Sequence, residues 1–191
     1  DRIIQKDDTP KSELSADDNA SLTGVFTAEM PTMDKAQFHV ESAAMGENGT
    51  PILITQSEYM RRMKDASRYQ QGMSFYGEMP DMYNVVLNAD HRLIKEVLAD
   101  MKSQLADKLQ PIESELKGLH ARHTAIEQSQ KDKKPEELTD ADKEDMKKCN
   151  DDIAAQEEAR KQVWAEYGKQ NPVVPQLIDL ALLQNGLLRG E

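Results

Sequence analysis

The sequence predicts an α+β fold: a small three-stranded sheet packed with helices, a long inserted antiparallel helical hairpin, and a C-terminal helix too apolar for its own chain to cover. Three observations carry this. Strand-like runs at 37–44, 52–55 and 83–88 alternate with helical patterns. Residues 102–167 are polar overall, yet their apolar side chains recur in steps of three and four. The segment from Leu177 to Leu183 is apolar nearly all round, with Asp179 the exception.

The elements follow in order. Residues 1–13 are charged, contain Pro10, and read as a boundary or linker from a preceding domain. Ser15 with Asp18 forms a weak capping box, and Leu22, Val25 and Phe26 share one helical face, which predicts a helix at 16–29 stopped before Pro31. Residues 37–44 alternate, Phe38 and Val40 against His39 and Glu41, as a half-buried strand does. Gly46, Asn48 and Gly49 supply a turn, from which Ile52 to Thr55 return. A short amphipathic helix spans 57–68, and Tyr83–Asn88 makes the third strand. Asn88 and Asp90 offer N-cap oxygens to a helix from about residue 91.

The hairpin is read from two seams. Leu105, Leu109, Ile112, Leu116, Leu119 and Ile126 form the first, with His123 in the skipped place. Pro111 interrupts it, which predicts a kink or a fresh helix start. Residues 128–137 hold no apolar side chain and contain Pro135, as a solvated turn would. Met146, Cys149, Ile153, Val163 and Tyr167 form the second seam, with Gln156 and Arg160 between. Two such helices joined by a polar turn fold back on each other.

The bulk numbers exclude several classes. The chain has 191 residues and a net charge of −11, so it lacks the basic footprint that nucleic-acid binding requires. It holds no run of eighteen apolar residues to span a membrane, and no secretory signal at its start. Its single cysteine, Cys149, cannot form an internal disulfide and fits a reducing, cytoplasmic setting. It opens without Met, and we read it as a piece of a longer protein.

Five of the ten methionines and five of the nine aromatic residues fall between Tyr59 and Tyr83. Methionine is flexible and polarizable, so this clustering points to an adaptable binding surface rather than a catalytic pocket. Tyr59, Met60 and Met63 give the 57–68 helix a small apolar face beside Arg61, Arg62, Lys64 and Asp65. Met73, Phe75, Tyr76, Met79 and Met82 extend that face or fold back over it. No catalytic constellation stands out: the carboxylates lie in mixed-charge helical runs, and no phosphate-cradling Gly motif is present. His120 and His123 have acceptable metal-ligand spacing but sit on a lysine-rich face without Cys, so no metal is expected. Cys149, on a seam, reads as a small core residue.

Three segments together resemble the C-terminal domain of the ninety-kilodalton heat-shock chaperone family, in its bacterial, high-temperature protein G form. They are PILITQSEYMRRMK at 51–64, the strand-to-helix junction MYNVVLNADHRLI at 82–94, and LIDLALLQNGLLRGE at 177–191. The resemblance covers residues 1–101 and 168–191, and leaves the hairpin at 102–167 as an insertion. Arg92 stands where the family usually has Pro after His91.

The resemblance implies a domain, residues 14–101 with 168–191, that joins two chaperone protomers and contacts non-native clients. Its partners are then a second copy of itself, client proteins and the other domains of the same chaperone, with no nucleic acid and no membrane. Client contact would fall to Tyr59, Met60, Met63, Met73, Phe75, Tyr76 and Met79; the alternative is a helix that simply packs on the sheet. Dimerisation would fall to Leu177, Ile178, Leu180, Ala181, Leu182, Leu183, Leu187 and Leu188; the alternative is an internal core helix. In the family a last amphipathic helix follows the Gly-Glu of 190–191, and the final two helices of each protomer build the dimer interface. The family's ATP-binding domain is N-terminal, so this segment is expected to be no enzyme and to hold no cofactor, with ATP and Mg belonging to the parent. A rival reading makes residues 102–167 a coiled-coil adaptor that recruits a partner protein.

Overall fold

A computed structural model of the chain describes residues 14–56, 58–69 and 80–187. They form α1 (Ala16–Glu29), β1 (Ala36–Ala43), β2 (Ile52–Gln56), α2 (Glu58–Tyr69), β3 (Asp81–Asn88), α3 (Arg92–Gln130), a 3-10 turn (Pro135–Glu137), α4 (Asp140–Gln170) and α5 (Val173–Gln184). The α+β class follows. Two compact units emerge: one takes in the described residues up to Asp100 and those from Ala165 onward, the other is Met101–Trp164.

In the first unit α1 starts where the Ser15 hydroxyl accepts the Asp18 N–H at 3.1 Å. Its buried face is Leu22, Val25 and Phe26, each large side chain contributing about 1.5–3 kcal/mol on burial. The three strands form one sheet in the order β1-β3-β2. β1 runs parallel to β3, with Phe38 opposite Tyr83 and Val40 opposite Val85. β2 runs antiparallel to β3, with Ile52 opposite Leu87 and Ile54 opposite Val85. The return of 52–55 beside 37–44, expected from the turn at Gly46–Gly49, therefore does not occur: β3 lies between them. The reason is in the side chains. Val85, Val86, Leu87 and Asn88 are buried in succession, so β3 is covered on both faces, whereas β1 and β2 alternate between buried and exposed as edge strands can. One sheet face carries Phe38 and Val40, Tyr83, Val85 and Leu87, and Ile52 and Ile54 in register, with the Phe38 and Tyr83 rings stacked at 5.7 Å.

Asn88 clasps the junction that follows. Fully buried, its Oδ1 accepts the Met45 and Asp90 N–H groups at 3.1 Å, and its Nδ2 donates to the Gly46 carbonyl at 2.9 Å. Asp90 Oδ2 accepts the Gly46 N–H at 2.9 Å. Asn88 and Asp90 thus hold the β1–β2 loop instead of capping α3, as their oxygens were expected to do. The cap comes from His91, whose Nδ1 accepts the Leu93 N–H at 3.1 Å. Arg92, in the family's proline position, opens the helix and pairs with Glu96 at 2.9 Å.

The last turn of α4 and all of α5 complete this unit. Tyr167 is buried; its Oη donates to Asp100 Oδ2 at 2.5 Å and accepts from Asn171 Nδ2 at 2.9 Å. Burial, then the Asp100 carboxylate, push its phenol well above the usual tyrosine range. Gly168 lets α1 come close: a Cβ there would lie 2.5 Å from Glu29 Cγ.

The second unit is the antiparallel hairpin. α3 runs through Pro111 without the fresh start that the proline predicted. Pro111 is exposed and removes one backbone hydrogen bond; the helix is held on either side by buried Leu105, Leu109, Leu116 and Leu119. From α4, Cys149 is fully buried and its thiol donates to the Leu119 carbonyl at 3.4 Å. Trp164 is buried too, a core residue outside the predicted seam, with the Arg160 guanidinium 4.8 Å from its ring centroid. At the tip the Thr139 N–H donates to Asp142 Oδ2 at 3.1 Å, and the Asp142 N–H to Thr139 Oγ1 at 3.2 Å. Lys133 Nζ reaches Asp142 Oδ2 at 3.2 Å, and Gln130 Nε2 its carbonyl at 3.1 Å.

Candidate functional site

α5 has two apolar faces with different fates. Val174, Leu177, Ile178, Ala181 and Leu182 are buried within the chain, where α5 approaches α1 and β2. Leu180 and Leu183, three positions apart, stay 48% and 62% exposed. Of the residues expected to pair protomers, Leu177, Ile178, Ala181 and Leu182 thus already have intramolecular cover, and Leu180 and Leu183 hold the free face. The helix ends in a Schellman arrangement: the Leu187 N–H reaches the Leu182 carbonyl at 2.9 Å and the Gly186 N–H that of Leu183 at 3.0 Å. Gly186 takes φ +65°, a conformation that glycine adopts without strain. Half-buried Leu187 sits just past the helix. Leu188 lies outside the described residues.

α2 is the second surface. Tyr59 is 69% exposed, while Met60 and Met63 are half-buried. Tyr69, at the helix end, is exposed. Arg62 pairs with Glu58 Oε1 at 2.7 Å, and Arg61 approaches the same oxygen at 3.9 Å. Leu53 on β2 and Met82 on β3 are exposed too. Met73, Phe75, Tyr76 and Met79 lie outside the described residues.

Among the described residues, no group of three or more His, Cys, Asp or Glu is placed to hold a metal ion. His120 is exposed, and His123 stands 3.6 Å from Glu127 on its own helix. Among the described residues, no helix is long and apolar enough to cross a membrane.

No family model matches the chain, and no solved structure matches it. Curated relatives do. The chain is 46% identical over 194 residues to the chaperone protein HtpG of Bacteroides fragilis, and 42% identical over 191 residues to that of Bacteroides thetaiotaomicron. Both matches cover 100% of the chain. With HtpG of Porphyromonas gingivalis it shares 40% identity over 189 residues, 99% of the chain. The chain spans 28% of the length of each of these relatives. Identity at this level along the whole chain takes in the hairpin as well as the three segments that first carried the resemblance. The chain therefore belongs to the ninety-kilodalton heat-shock chaperone family, and corresponds to the C-terminal portion of its HtpG branch.

Proposed function

We propose that this segment joins two protomers of an ATP-dependent, cytoplasmic chaperone and offers α2 to non-native client chains. The observation that carries the reading is the division of α5. One face is used up inside the chain, and Leu180 and Leu183 remain as a short apolar stripe toward solvent. Such a stripe on a helix is stabilised when a symmetry mate covers it, since a twofold axis sets each leucine pair against its copy. Half-buried Met60 and Met63 beside exposed Tyr59 give α2 the amphipathic, adaptable character that varied clients require. ATP with magnesium binds in parts of the parent that this segment does not include. Its contribution is mechanical: pairing at one end lets closure driven elsewhere act on a client held between protomers. The hairpin offers the adaptor reading little to dock on, because none of its described large apolar side chains is exposed.

The test is sedimentation equilibrium on a full-length chaperone carrying this segment, as wild type and as L180S/L183S. The variant should shift from dimer to monomer with its secondary structure intact. A variant that stays as tightly dimeric as wild type rejects the α5 assignment.

A further inference from the structure

The charge on α2 runs against the rest of the chain. Residues 58–69 hold four basic residues, Arg61, Arg62, Lys64 and Arg68, against two acidic ones, Glu58 and Asp65, in a chain of net charge −11. At physiological salt a partner senses charge over about 8 Å, so one docked on α2 meets this local basic excess more than the acidic whole. The arginines are available to such a partner. Arg61 and Arg62 side chains are 58% and 75% exposed, and both approach the same Glu58 oxygen. Exposed pairs of this kind are worth little, so an arriving carboxylate can share or replace Glu58 at small cost. Beside them stand exposed Tyr59 and Tyr69. Tyrosine and arginine side by side form the composition that protein interfaces favour, and a guanidinium also receives a planar carboxylate in two parallel hydrogen bonds.

We propose that α2 selects client segments in which apolar or aromatic residues lie next to acidic side chains. This rests on the client-contact reading and adds the chemistry of the occupant. The apolar residues of the client meet Tyr59 and the half-buried methionines, and its carboxylates meet Arg61 and Arg62.

The experiment compares two labelled, unstructured peptides by fluorescence anisotropy against the 191-residue chain. They share one apolar-aromatic core, flanked by aspartates in one and by lysines in the other. The acidic peptide should bind about two- to thirtyfold more tightly, the range two exposed ion pairs supply, and the difference should shrink in 0.5 M salt. R61E/R62E should reverse the preference, and Y59S should weaken both peptides, with circular dichroism unchanged in each variant. Equal binding of the two peptides, with Y59S weakening both and R61E/R62E neither, keeps client contact and overturns the charge selectivity. Indifference of both peptides to both changes overturns client contact at α2 itself. Arg61- and Arg62-dependent binding to phosphatidylserine vesicles, without discrimination between the peptides, overturns the proposal in favour of an anionic membrane surface.

Discussion

Replacing Leu180 and Leu183 by serine tests the pairing role where the structure permits a magnitude. Fully burying a leucine is worth about 1.5–3 kcal/mol, and here only the part still in water can be gained by association. Leu180 is 48% and Leu183 62% exposed, so scaling gives about 0.7–1.4 and about 0.9–1.9 kcal/mol. A twofold interface uses each residue twice, for a total of about 3–7 kcal/mol. At 1.4 kcal/mol per decade, the dimer dissociation constant should rise by about two to five orders of magnitude. The part of each side chain already covered within the protomer is lost too, about 1.4–2.7 kcal/mol in all by the same scaling, so the protomer should be somewhat less stable but remain folded in the absence of urea. The assay is analytical ultracentrifugation from nanomolar to high micromolar protein, with a urea melt run in parallel. An unchanged dissociation constant refutes the reasoning. So does a dimer lost because the protomer unfolds, or a protomer destabilised by well over about 3 kcal/mol, since that would place these leucines in the core and not at an interface.

Other expectations follow from groups already described. Asn88→Ala strands the Met45 and Asp90 N–H groups in a buried site and should cost about 2–4 kcal/mol by urea unfolding. Gly186→Ala forces a side chain into the left-handed region at the α5 C-terminus; a loss of about 1 kcal/mol is expected, and Gly186→Asn should lose less. Asp142 is held below its ordinary pKa of 3.8, chiefly by the Thr139 backbone N–H and then by Lys133. A depressed carboxylate stabilises above its unfolded value and loses that contribution as pH falls through the folded one. The protection factor of the Thr139 amide, measured against its own intrinsic exchange rate at each pH, should therefore fall below about pH 4 in wild type, and Asp142→Asn should remove that acid dependence. Tyr167 has its pKa raised, so the contribution of its protonated form is complete below pH 10 and declines as pH rises beyond it. Tyr167→Phe should abolish that alkaline limb and cost about 1.5–3 kcal/mol at neutral pH, because Asp100 loses its buried donor.

Much of the fold was legible because local chemistry decides it. Ser15, three residues before Asp18, marked the start of α1, and the alternation from Phe38 to Glu41 marked β1. Strand order was not legible from turns, since a Gly-rich loop reports a change of direction and not a neighbour. The signal that would have found it was the continuous VVL run of β3, which needs cover on both faces. Of the two outcomes that Pro111 predicts, a kink or a fresh helix start, the fresh start does not occur, because propensity is a local quantity and the leucines on either side belong to a packed seam. Asn88 was recognised as a hydrogen-bonding residue but given the wrong partners, because Met45 and Gly46 lie more than forty positions away in sequence. The apolar character of α5 was plain from composition. Which of its leucines face outward required α1 and β2 to be in place.

The central position of β3 bears on how such a chain is born. Val40 and its neighbour Val85 are separated by 45 positions, and β1 and β2 each pair only with β3. During synthesis at roughly 5–20 residues per second, β2 therefore waits about one to five seconds for the strand that pairs with it. Throughout that interval two short strands present open edges, the condition under which nascent chains meet one another. Codons slowed between 57 and 80 should therefore lengthen that exposure and raise aggregation on overexpression.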